Sequence, residues 1–455
     1  MAAGKGTRMK SARPKVLHRL AGRSLLQHVI DAAASLQAQR TVVVTGHGAE
    51  QIEAAFADAG LAFVRQEPQL GTGHAVQQAA PQLHDEGTTL ILNGDVPLIE
   101  PDTLARLVHA CGGQALALLT VVLDDPSGYG RVIRSGDAVG GTVEGIVEHK
   151  DATPAQRRIQ EVYTGVMAAP TAHLKRWLAA LKNDNAQKEY YLTDVVAMAV
   201  ADRVRVVATH AHDETEVLGV NSPAQLAELE RRFQRRIAER LMDDGVRLAD
   251  PARLDVRGEL VCGQDVEIDV GCVFEGRVEL GDNVRIESHC VLRNVRIEAN
   301  ALVRSFTHVD GERAGARIGR GAEIGPFSRL RPGADLGENV HIGNFVEVKN
   351  STLGKGAKAN HLAYLGDATV GERVNYGAGS ITANYDGAYK HRTVIGDDVH
   401  VGSNCVLVAP LTIGAGATVG AGSTLSKDAP AGQLTVARAK AVAIPGWTRP
   451  VKAKK

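Results

Sequence analysis

From Ile318 to Leu425, a branched aliphatic residue returns every six positions. One run reads Ile318, Ile324, Leu330, Leu336, Ile342, Val348; after an irregular interval, a second reads Ile395, Val401, Leu407, Ile413, Val419, Leu425. If about half of all residues are apolar, twelve such positions in succession arise by chance about once in four thousand. The residue after each aliphatic carries a slower rhythm: Gly319, Gly325, Arg331, Gly337, Gly343, Lys349, and later Gly396, Gly402, Val408, Gly414, Gly420, Ser426. Non-glycine residues thus recur every eighteen positions within a run, so three hexapeptides make one period. A chain that turns three corners per coil, with its aliphatics pointing inward and glycine relaxing two corners, is a triangular parallel β-helix. Each coil buries its aliphatics only against the coils above and below. Arg331 and Lys349 are therefore expected on one edge, one coil above the other.

Residues 1 to about 220 have a different texture. The runs TVVVTG (41–46), TTLILNGD (88–95) and ALALLTVVL (115–123) read as strands, and they alternate with helical patterns such as Leu25, Leu26, Val29, Ile30, Ala33. That alternation predicts an α/β domain with a mostly parallel sheet. Ser222-Pro223, followed by Leu226, Leu229, Phe233, Ile237 and Leu241, predicts a long amphipathic helix with a cap and a proline in its first turn. Its other face carries Glu228, Glu230, Arg231, Arg232, Arg235 and Arg236, the composition of a solvated linker. Coils are expected from near Val246. The chain thus divides into a domain at 1–220, a linker helix at 221–245, a β-helix at 246–435 and a basic arm at 436–455.

Composition narrows the function classes. Lys plus Arg equals Asp plus Glu at 52 each, so no global basic field points to nucleic acid or an anionic membrane. The five cysteines (111, 262, 272, 290, 405) have no CxxC or other metal spacing, which fits a reducing, cytoplasmic setting. Ala115–Leu123, the most apolar stretch, is far shorter than the roughly 18 residues of a membrane span. The start, MAAGKGTRMK, lacks the apolar core of a signal peptide.

Candidate chemistry begins at GKGTR (4–8), a glycine-rich loop with two cations whose backbone N–H groups suit close approach to phosphates, although its spacing is neither Walker nor GxGxxG. Lys15 adds a cation, and Gln66 with LGTGHA (70–75) a second polar glycine turn. Asp95 ends a strand, where ligands bind in parallel sheets.

Taken together, GKGTRM, PKVLH, QLGTGHA, NGDVPLI, GYGR, GIVEHKDA, EYYLTD and GVN, then RLRPGADL, GNFVEVKN, NHLAYLGDA, NYGAGSITANYDG and VGSN, closely resemble one family across essentially the whole chain. It is the bacterial bifunctional N-acetylglucosamine-1-phosphate uridyltransferase and glucosamine-1-phosphate acetyltransferase family. The resemblance implies a Rossmann-like nucleotidyltransferase domain, a linker helix and a left-handed parallel β-helix, assembled as a homotrimer with acetyl sites between adjacent β-helices. It implies acetyl transfer from acetyl-CoA to glucosamine 1-phosphate, then uridylyl transfer from UTP with release of pyrophosphate.

Carried over by motif, the UTP and UDP-sugar site would comprise Ala2, Ala3, Gly4, Arg8 and Lys15 at the triphosphate and Gln66, Gly71 and Thr72 at the uridine. Asn93, Gly94, Gly130, Glu148 and Tyr163 would complete it, and Asp95 with Asn221 would hold Mg²⁺, the metal suited to hard oxygens and phosphate. In the acetyl site His361 would be the general base, a role suited to imidazole near neutral pH. Arg331, Lys349, Tyr364 and Asn375 would grip the sugar phosphate and hydroxyls, and Ala378, Asn384, Tyr385, Ser403, Ala421 and Arg438 would bind acetyl-CoA. His361 also lies where the six-residue step slips, since after Val348 the next aliphatics fall at 353 and 365. Broken local rules tend to mark function. The lysines at 452–455 are a further candidate for CoA phosphates.

Two departures from the family pattern bear on the uridylyl half. Tyr163 stands where the family has asparagine, and only Met1, Ala2 and Ala3 precede a loop that should emerge from an apolar, central strand. The sequence is expected to begin about one strand late; the alternatives are an acetyltransferase with an impaired uridylyl domain, or a non-catalytic regulatory subunit.

Overall fold

All twelve aliphatics of the six-residue beat are at most 3% exposed in the computed structural model, which describes residues 1–136 and 141–452. Burying such a side chain contributes about 1.5–3 kcal/mol, so the beat is the core. Ile318 pairs with Leu336, Ile324 with Ile342 and Leu330 with Val348, in parallel register. The coil is therefore eighteen residues long here. The slip after Val348 is a coil one residue shorter, with Val348 opposite Leu365 and Leu336 opposite Leu353.

Coils run from Arg247–Leu248 to Leu434–Thr435. Among the described residues they form an eleven-stranded and a sixteen-stranded sheet. The larger one covers two faces, because Val291–Ile297 bends to pair with both His308–Asp310 and Ala316–Ile318. At one corner His289, Phe306, Phe327, Phe345 and Leu362 succeed one another with φ between 51° and 61°, a conformation that bulky residues rarely adopt. The four rings stack at 5.2, 5.0 and 5.6 Å.

The chain divides into two compact units, Met1–Phe233 and Gln234–Lys455. The boundary falls within the helix Pro223–Asp243, whose first turn is capped by Ser222 Oγ accepting from Gln225 N at 3.3 Å. Leu226, Leu229 and Phe233 pack with Leu20, Leu25 and Leu98 of the first unit. Of the basic arm, residues 453–455 lie outside the described residues.

In the first unit, Leu116–Val122 runs parallel to Val206–His210. The long strand Glu161–Pro170 is antiparallel to Leu116–Val122 on one edge, and to Thr88–Ile91 and Gly130–Arg134 on the other. Val143–Val147 closes that side. The sheet is therefore mixed, which corrects the mostly parallel expectation. Glu161–Pro170 is buried on both faces, and a strand's apolar pattern carries no information about its direction.

Val42–Thr45 and Ala62–Arg65 form a separate parallel pair. Ala2 N donates to Val44 O at 2.7 Å and Gly94 N to Met1 O at 2.8 Å, so the first residues bridge the parallel pair and the turn that follows Thr88–Ile91. Elsewhere the two sheets face a cavity of about 490 Å³ whose lining includes Val29, Val42, Val44, Val76 and Leu90.

Candidate active sites

The glycine loop of the first unit closes onto Lys15. A Cβ at Gly6, where φ is 58°, would fall 2.7 Å from Lys15 Cβ, so only glycine permits this approach. The Lys15 ammonium then reaches the Asp95 carboxylate and donates to Asn221 Oδ1 at 3.1 Å. Val220 N donates to Asp95 O at 2.9 Å, which draws the GVN and NGD segments together.

Asp95 and Asn221 thus converge on one cation, here an ammonium. Among the described residues no cluster of three or more His, Cys, Asp or Glu surrounds it. One carboxylate and one amide oxygen fit Mg²⁺, which keeps several waters and takes its remaining ligands from phosphates.

A cleft of about 380 Å³ opens beside this pair, lined by Arg8, Thr72, Asn93, Asp95, Gly130, Glu148, Tyr163 and Asn221. Gln66, buried, donates to Gly71 O at 2.9 Å. Thr72 Oγ1 accepts from Leu192 N at 3.1 Å, and Tyr190 N donates to Leu70 O at 2.8 Å, so the EYYLTD segment braces the LGTGHA turn. Gly4 is exposed, whereas Ala2 and Ala3 turn their methyls into two small cores and offer the site only backbone.

Glu148 accepts from Thr193 Oγ1 at 3.0 Å. Burial, joined by the Asp151 and Asp194 carboxylates, pushes its carboxyl above the ordinary value. Burial, with Glu148 nearby, also raises the Tyr163 phenol well above its ordinary value. That hydroxyl is buried without a hydrogen-bond partner. Thr193 was not singled out, though its motif was.

In the second unit, His361 ends the strand Lys358–His361, beside the corner at Leu362, and is exposed. Its Nδ1 lies 3.2 Å from the side-chain oxygen of Asn344, the residue paired with it one coil earlier. Three of the acetyl-CoA candidates continue this edge. Leu362 N donates to Asn344 O, Gly379 N to His361 O, Asn404 N to Ala378 O and Gly422 N to Ser403 O, at 2.8–3.2 Å. His361, Ala378, Ser403 and Ala421 therefore occupy equivalent places in successive coils. The guanidinium of Arg438 closes on Ala421 O at the far end.

Arg331 and Lys349 do lie in register on one edge, Arg331 N donating to Val348 O at 2.8 Å. Arg331 Nη1 is also 2.9 Å from Glu347 Oε1. Tyr364 pairs with Glu347, and its phenol lies over Gly366, where a Cβ would meet the hydroxyl at 2.2 Å. Asn375 pairs with Lys358 on the other sheet and is exposed.

The inserted loop after Asn384 is tightly built. Asp386 accepts from Ala388 N, Tyr389 N and His391, contacts that hold its carboxyl far below the usual range. Tyr385 is exposed at its start. The loop carries Lys390 to Lys349, whose ammonium pushes that of Lys390 below its ordinary value, with Asp367 opposing the shift. Asn344, Asp367 and Lys390 were not singled out from the sequence.

The two units and their sites define a nucleotidyltransferase joined to a hexapeptide acyltransferase. Residues 1–244 match the MobA-like NTP transferase domain model, and residues 315–350 and 392–427 match the bacterial transferase hexapeptide model. The chain is 73% identical to the bifunctional protein GlmU of Methylibium petroleiphilum, over 99% of its own length and 98% of that protein. It is 66% identical to the bifunctional protein GlmU of Polaromonas naphthalenivorans, over 99% and 97%, and 60% identical to that of Azoarcus sp., over 99% and 98%. The chain belongs to the family of bifunctional GlmU proteins.

Proposed function

We propose that the chain acetylates glucosamine 1-phosphate with acetyl-CoA and then transfers a uridylyl group from UTP to the N-acetylglucosamine 1-phosphate formed, releasing pyrophosphate. The observation that carries the reading is the His361–Ala378–Ser403–Ala421 edge, an extended track with an exposed imidazole at one end and a guanidinium at the other.

In the first reaction, Arg331, Lys349 and Tyr364 hold the sugar phosphate, and Asn375 holds the sugar. His361, oriented by Asn344, takes the proton from the amine as nitrogen attacks the thioester carbon. The Ala378 N–H faces the oxygen that gains charge, and the CoA thiolate leaves. Asn384, Tyr385, Ser403, Ala421 and Arg438 keep the cofactor along the edge.

In the second reaction the sugar phosphate attacks the α-phosphorus of UTP. Arg8, Lys15 and the backbone of residues 2–4 hold the triphosphate; Gln66, Gly71 and Thr72 hold the uridine. Asn93, Gly94, Gly130, Glu148 and Tyr163 enclose the sugar. Mg²⁺ on Asp95 and Asn221 would neutralise the departing pyrophosphate.

The functional divisions are taken at 1–220, 221–245, 246–435 and 436–455. The hexapeptide repeats support a homotrimer, and the reading includes a cytoplasmic location, for which the cysteine usage speaks. No helix among the described residues is long and apolar enough to cross a membrane. Paired assays of CoA and pyrophosphate release on the purified chain test both reactions; CoA release without pyrophosphate release would favour a second reading, acetyl transfer alone.

A further inference from the structure

Asp367 is a carboxylate that no binding role accounts for, yet it is only 6% exposed and contacts Lys349 and Asn384, two of the acetyl-site candidates. It sits at a corner with φ 51°, a left-handed turn that aspartate tolerates better than most residues. One oxygen accepts from Asn350 Nδ2 at 2.5 Å. The other accepts from Asn384 Nδ2 and lies 3.5 Å from Lys349 Nζ. Its backbone is tied as firmly: Asp367 N donates to Lys349 O at 3.0 Å, and Thr393 N, on the return of the inserted loop, donates to Asp367 O at 3.2 Å.

The carboxylate thus joins three consecutive coils, holding a lysine from below and an asparagine from above. We infer that Asp367 is a positioning residue that fixes Lys349 and Asn384 relative to each other, so that Lys349 meets the sugar phosphate in place; this rests on the acetyl-transfer reading. Burial alone would push the Asp367 carboxyl up, but the two amides and the ammonium outweigh it and hold it below the ordinary range. It is therefore charged when the site works, a counter-charge shared by Lys349 and Lys390. Without it the two ammonium groups repel, and the lysine chain regains its rotamers before it can bind an anion.

The test is Asp367→Asn in the full chain, with glucosamine 1-phosphate and acetyl-CoA varied separately. The KM for glucosamine 1-phosphate is expected to rise about tenfold, the loss of one charge-assisted hydrogen bond, while kcat stays within about threefold. Adding Asp367→Asn to Lys349→Met should raise KM no further than Lys349→Met alone, because the carboxylate acts through that lysine. A parental KM in Asp367→Asn, or additive effects in the double variant, overturns the inference. Should Asp367→Asn fail to fold, Asn350→Gly decides: it keeps the left-handed turn, withdraws one support, and is expected to raise the same KM about threefold. An unchanged KM there is equally fatal. If the parent chain releases no CoA, the acetyl-transfer reading itself falls, and this inference with it.

Discussion

Lys15 Nζ and Asn221 Oδ1 meet at 3.1 Å across 206 positions of sequence, and Asp95 closes on the same ammonium. The ammonium therefore offsets the Asp95 charge and meets the same two oxygens that are assigned to Mg²⁺, so metal and ammonium are expected to compete for one place. Replacing Lys15 by methionine should tighten Mg²⁺ binding, measured by titration calorimetry. The same change should cut pyrophosphate release about a hundredfold, if the cation proposed to hold the triphosphate is thereby lost. Weaker Mg²⁺ binding in that variant would contradict the competition.

His361→Ala should lower CoA release by about 10²–10⁴-fold, the usual contribution of a positioned base. Pyrophosphate release from UTP and N-acetylglucosamine 1-phosphate should remain parental. Asn344→Ala leaves the imidazole but removes its orienting oxygen at 3.2 Å, so a loss of about tenfold in kcat is expected, the worth of one hydrogen bond to a group that becomes charged.

Glu148 links stability to pH. Its carboxyl is raised in the folded protein by burial, so between the ordinary value near 4.5 and the raised one the folded state holds more proton than the unfolded state. Stability from this group is present below that window and falls as pH rises through it. Glu148→Gln should flatten the dependence, read as melting temperature against pH from 4 upward. An identical slope in parent and variant would refute the assignment.

The Tyr163 hydroxyl is buried without a partner. Tyr163→Phe should leave the protein as stable or stabilise it by about 1–3 kcal/mol, the penalty of an unsatisfied buried polar group, in denaturant unfolding. A clear loss of stability would mean that the hydroxyl has a partner in solution.

Much of the second unit was legible because a single period dictates it: the inward aliphatics, the eighteen-residue register and the stacking of Arg331 over Lys349 all follow from side-chain spacing. In the first unit, the capped helix after Ser222 was legible from local chemistry. Strand direction was not, since Glu161–Pro170 is apolar on both faces and would read the same either way. Asn344 and Asp367 were missed for another reason. Each acts on a residue 17 or 18 positions away through a corner side chain, and in sequence such a corner looks like any solvated turn.

The coil pitch makes the acetyl edge a ruler. Neighbouring parallel strands lie about 4.8 Å apart, so the three steps from His361 to Ala421 span about 14 Å, by the same spacing. With acetyl-CoA bound as proposed, the distance from the reacting nitrogen to the far end of the edge would be set by a whole number of coils. Insertion of one eighteen-residue coil between Ala378 and Ser403 would leave every contact within each coil intact and still carry the anchor one step out of the thioester's reach.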